Sequence, residues 1–87
     1  MALASLAAYE AGCRVFDAAA GGIGGCPYAP GATGNVAMED VVWAFSRMGI
    51  EAGVHWARLL EAADYSAGIE GATPGGRMRG VPAARAA

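Results

Sequence analysis

The sequence predicts a slice of an alternating α/β fold, not a domain complete in itself. Three observations carry this expectation. One strand candidate, residues 13–18, has no second strand within the 87 residues to pair with. Helical patterns flank it on both sides. A Gly- and Pro-rich loop, residues 19–35, follows the strand at its C-terminal end, and its length exceeds what a connection alone requires.

The elements follow in order. Residues 2–12, ALASLAAYEAG, set Leu3, Leu6, Ala7 and Glu10 at helical spacing, and Gly12 is a natural C-terminal stop. Cys13 to Ala18, CRVFDA, is bounded by glycines and reads as the strand. After the loop, Val36, Val41, Val42, Phe45 and Met48 share one face of a helix over 36–48. Glu39 and Asp40 occupy its first turn, where the dipole favours anions, and Gly49 ends it. A last helix runs from about His55 to Asp64, with Trp56, Leu59 and Leu60 on one side. Trp43, Phe45 and Trp56 are expected to pack between helices. Residues 68–87 show no periodicity and are expected to be a disordered tail, leaving 1–67 as the structured part.

Composition narrows the function classes. The chain is 55% hydrophobic and 16% charged, so it is not a solvating linker. Yet 22 Ala and 14 Gly supply little bulk for a core, and a chain this short needs a disulfide, a metal or a partner to be secure. The net charge is −2, and residues 1–70 carry three Arg against eight acids, which argues against a nucleic-acid partner. The absence of Lys excludes a Walker A loop. Gly22 and Gly24 are followed by Pro27 where a dinucleotide fingerprint needs Gly. Two cysteines make no disulfide framework, so a cytoplasmic setting is expected. No apolar stretch suits a membrane span, and no membrane partner is expected. Arg77, Arg79 and Arg85 give the tail a basic character, read as a solvated end.

The loop is more specific. Asp17 to Asp40, DAAAGGIGGCPYAPGATGNVAMED, resembles the signature of hydroxymethylglutaryl-CoA lyase. The resemblance extends through VVWAFSRMGIEAGV and LLEAAD and back through ALASLAAYEAG, over roughly residues 1–64. It implies the C-terminal helix–strand–helix of a TIM (β/α)8 barrel, a fold of about 250 residues. The family's His-x-His metal motif would lie upstream of Met1, and His55 matches neither ligand position. The expectation is a C-terminal part of such an enzyme, begun at an internal methionine and inactive alone.

The resemblance also implies a chemistry. The family cleaves 3-hydroxy-3-methylglutaryl-CoA to acetyl-CoA and acetoacetate, a reaction of leucine breakdown and ketone-body formation, with Mg²⁺ or Mn²⁺. The acyl-CoA is the implied substrate partner, and the complete enzyme is expected to be a homo-oligomer. Cys26 matches the catalytic cysteine, as proton donor to the departing enolate; a thiol with a pKa of about 8.5 is largely protonated at neutral pH. From the residues alone Cys26 also reads as a small buried hydrophobe. Asn35 matches a metal ligand, and equally fits an N-cap before Val36. Glu39 matches an acid near the site, and equally a first-turn carboxylate stabilised by the helix dipole. Asp17 matches a family acid, with holding the loop as its expected work, and Tyr28 a pocket wall. Cys13 is read as structural.

Two departures stand out. Ala18-Ala19-Ala20-Gly21-Gly22-Ile23 replaces the usual Ser-Ser-Val-Ala-Gly-Leu, and Ser5 replaces an Asn. A lyase for a related 3-hydroxy-3-alkylglutaryl-CoA is therefore an alternative. Two others are a piece that docks onto a separately encoded N-terminal barrel part, and a gene remnant without activity.

Overall fold

Apolar residues on two helical faces form a small core. A computed structural model describes residues 2–24 and 34–86. The order is α1 (Ala2–Glu10), a 3-10 turn (Ala20–Gly22), α2 (Met38–Arg47), α3 (Trp56–Ala67), a second 3-10 turn (Met78–Gly80) and α4 (Pro82–Arg85).

The predicted face of α2 forms the centre. Val41, Val42 and Phe45 are buried, as are Leu59, Leu60 and Ala63 of α3, and the two helices are in contact. Tyr9 of α1 and Phe16 lie against the Phe45 ring, with centroids 5.5 and 5.3 Å away. Trp43 and Trp56 join α2 and α3 with ring centroids 5.3 Å apart, the helix-packing role expected of them. His55 caps the start of α3, its Nδ1 accepting from Arg58 N at 3.4 Å. The helix itself continues to Ala67, three residues past the expected Asp64.

Several expectations are corrected. The strand over 13–18 is not formed: the described residues hold only an isolated parallel bridge between Ala19 and Ala37. A β-ladder needs a neighbour to receive its backbone groups, and residues 14–18 have none here. Val15 is accordingly 88% exposed. Leu3 and Met48 are also exposed and take no part in the core. Cys13 is exposed rather than structural.

The tail expected to be disordered is folded back onto the helices. Trp56 Nε1 donates to Ala84 O at 2.7 Å, and Ala84 is fully buried. The Asp40 carboxylate accepts from Arg77 N and from Met78 N at 2.9–3.1 Å. Arg85 pairs with Asp64 of α3 at 2.6 Å. The order comes from long-range polar contacts, which no local periodicity announces. Among the described residues no helix is long and apolar enough to cross a membrane.

Candidate functional site

Residues 19–24 and 34–38, which flank the middle of the signature, are drawn together at a neck. Ala19 N donates to Val36 O at 3.0 Å and Met38 N to Ala19 O at 2.9 Å. Beyond that bridge, Asn35 Nδ2 donates to Ile23 O at 3.1 Å. The backbones approach so closely that a Cβ on Gly34 would collide with Gly22 O and lie 2.8 Å from Gly24 O. Gly21 makes the turn with φ 77°, a left-handed conformation that suits a residue without Cβ.

Glu39, from the first turn of α2, lies behind this neck. It is 0% exposed, and its two oxygens accept from the single N–H of Gly21 at 3.0 and 3.1 Å. Arg79 Nη1 stands 3.5 Å from Oε2. On the other side Gly75 N donates to Gly21 O at 2.8 Å. The turn before the loop is thus gripped by α2 and by the tail together.

Asn35 faces a cleft of about 330 Å³ whose wall also includes Ala37, Asp40, Gly76 and Arg77. The N-cap of α2 is Ala37, without any side-chain cap, so the capping alternative for Asn35 is set aside. Its amide nitrogen is committed to Ile23, and its Oδ1 takes no hydrogen bond among the described residues. A fixed neutral oxygen of this kind suits one position around a hard cation. It is a single donor: the described residues contain no cluster of three His, Cys, Asp or Glu able to hold a metal. Asp40 borders the same cleft with its carboxylate already engaged by two backbone N–H groups.

The sequence-derived site is therefore placed in part. Cys26 and Tyr28 lie outside the described residues. Asn35 is at the neck and Glu39 is behind it, not in the wall of the cleft. Asp17 is exposed and makes no hydrogen bond to the described part of the loop, whereas Glu39 accepts from Gly21 N. Sequence reasoning missed Arg79, Asp40 and Gly75. The alternation of Arg77 and Arg79 after a Gly pair was the only signal, and it does not say which acid each group meets.

Comparison with known proteins agrees with the loop. The family described as HMGL-like matches residues 1–65. A (R)-citramalyl-CoA lyase of Chloroflexus aurantiacus is 49% identical over 61 residues, 70% of this chain and 19% of the relative. A hydroxymethylglutaryl-CoA lyase of Bacillus subtilis is 50% identical over 58 residues, 67% of this chain and 19% of the relative. The solved structure of the HMG-CoA lyase from Bacillus subtilis superposes with a TM-score of 0.76 at 43% identity, covering 90% of this chain and 26% of that one. That of Brucella melitensis gives 0.67 at 45% identity, over 74% and 23%. The chain spans about a fifth of the length of the curated relatives it matches. With a matched family over three quarters of its length and a superposable fold around the loop, this chain belongs to the HMGL-like family.

Proposed function

We propose that this chain is the signature-loop segment of a metal-dependent carbon–carbon lyase that splits 3-hydroxy-3-methylglutaryl-CoA into acetyl-CoA and acetoacetate. The observation that carries the reading is the closed neck between residues 19–24 and 34–38, where the Asn35 oxygen borders a cleft and takes no hydrogen bond among the described residues. The names of the relatives support the substrate class, an acyl-CoA with a tertiary hydroxyl group.

A base removes the proton of that hydroxyl, a new C=O forms, and the adjacent C–C bond breaks. The bonding pair leaves on the acetyl-CoA fragment as an enolate. Cys26 gives its thiol proton to the enolate carbon and completes acetyl-CoA. A divalent cation, Mg²⁺ or Mn²⁺, supplies Lewis-acid polarisation of substrate oxygens when bound. Within this chain Asn35 is the residue that would contribute a ligand to it. Glu39, sealed from the cleft, acts by fixing the neck and not by touching substrate. Further ligands and the catalytic base come from outside these residues, in a barrel of which this segment is the C-terminal part. A homo-oligomeric cytoplasmic enzyme fits the same reading, with cytoplasmic and mitochondrial relatives both known.

The citramalyl-CoA relative favours a second substrate within the same chemistry. The test is a hybrid in which residues 1–65 replace the matching segment of the Bacillus subtilis lyase. Expected is Mg²⁺-dependent release of acetoacetate from 3-hydroxy-3-methylglutaryl-CoA. Cys26→Ala in the hybrid should lower kcat about 100-fold or more, with KM changed little. A folded hybrid that cleaves citramalyl-CoA instead would move the assignment to the second substrate. One that cleaves neither would overturn it.

A further inference from the structure

Glu39 is the only buried charged side chain among the described residues. A carboxylate without water needs compensating partners, and one backbone N–H shared between two oxygens is little. Among the described residues the remaining partner is Arg79, which stands beyond the family match at residue 65. The Arg79 side chain is about three-quarters buried, and its guanidinium is itself located from two sides. Nη1 lies 3.4 Å from Gly75 O, and Nε lies 3.9 Å from Asp64 Oδ1. Arg85 closes the line on Asp64 at 2.6 Å and donates to Arg79 O at 3.0 Å. Glu39, Arg79, Asp64 and Arg85 thus alternate in sign across α2, the tail, α3 and α4.

We propose that Arg79 is a positioning residue, whose charge holds the Glu39 carboxylate on Gly21 N–H and so sets the neck from which the signature loop departs. It acts through Glu39 and touches nothing in the cleft. Its relevance to turnover rests on the lyase reading, but the claim concerns Gly21 and is tested without turnover. The two can therefore fail separately.

The experiment is hydrogen exchange at the Gly21 amide, followed by NMR on the full 87-residue chain. Arg79→Ala should accelerate that exchange about tenfold or more. In a Glu39→Gln background the acceptor is neutral and still reaches Gly21, so adding Arg79→Ala should change exchange by less than about threefold. Arg85→Ala, which removes a neighbouring exposed pair, should leave Gly21 within about twofold. Unchanged exchange in Arg79→Ala would overturn the proposal. So would equal acceleration in both backgrounds, or an equal effect of Arg85→Ala, because each would mean general tail packing. Should Arg79→Ala fail to fold, a folded Glu39→Gln/Arg79→Ala chain with Gly21 still protected supports the proposal. Loss of fold in that double variant as well overturns it.

Discussion

Asn35 and Ile23, twelve residues apart along the chain, are joined by a 3.1 Å hydrogen bond from the Asn35 side-chain nitrogen to the Ile23 carbonyl. That bond does two things at once. It ties the two flanks of the loop together just outside the Ala19–Ala37 bridge, and it leaves the amide oxygen without a hydrogen bond among the described residues. A residue type that serves equally as a cap or a ligand is thereby committed to neither cap nor chance, but to a fixed orientation beside the cleft.

Asn35→Ala should lower stability by about 0.5–1.5 kcal/mol, the net worth of one hydrogen bond. Far-ultraviolet circular dichroism at low temperature should not change, since α2 starts at Met38 after an Ala37 cap. A fall in helicity comparable to the loss of a capping residue would show that the amide supports the helix after all.

Gly34→Ala places a methyl group against the carbonyls of Gly22 and Gly24. Overpacking of this kind costs about 1–3 kcal/mol, to be read as a lowered urea midpoint with unchanged slope. Gly80 has open space around its Cβ position and no positive φ. Gly80→Ala should thus be neutral or stabilise by up to about 1 kcal/mol through the unfolded chain. Equal effects at the two positions would contradict the closed neck.

Trp56→Phe keeps an aromatic ring against Trp43 but removes the donor to Ala84 O. The expected loss is about 1 kcal/mol, and amide exchange should rise first in α4. Unaltered protection of α4 would mean that burial of Ala84 alone holds the tail.

Asp40→Ala strips the acceptor from two backbone N–H groups of the tail at once. Bonds to a carboxylate are the stronger kind, so a loss of about 1.5–3 kcal/mol is expected. Removing the exposed Arg85–Asp64 pair by Arg85→Ala should cost less than about 1 kcal/mol. Reversal of that order, measured by thermal melting of both variants, would place the tail's hold on the surface pair instead.

The helices were legible because their information is local. Val41, Val42 and Phe45 repeat at helical spacing, and Leu59 and Leu60 do the same for α3. The family was legible because GGCPYAPGATGN is long and contiguous, and the comparison over residues 1–65 agrees with it. Neither kind of signal says where a side chain will find its partner.

The linear order of residues thus settled the helical faces, the loop and the family, each readable within a window of a dozen or so positions. It named segment 13–18 as a strand without a partner in this chain, and no strand forms there, because strand propensity becomes a strand only when a second backbone lies alongside. It did not reveal that Asn35 serves Ile23 or that a Gly-rich tail carries Arg79 to Glu39. Those contacts join residues 12 and 40 positions apart, and a buried carboxylate takes whichever donors the folded chain brings to it.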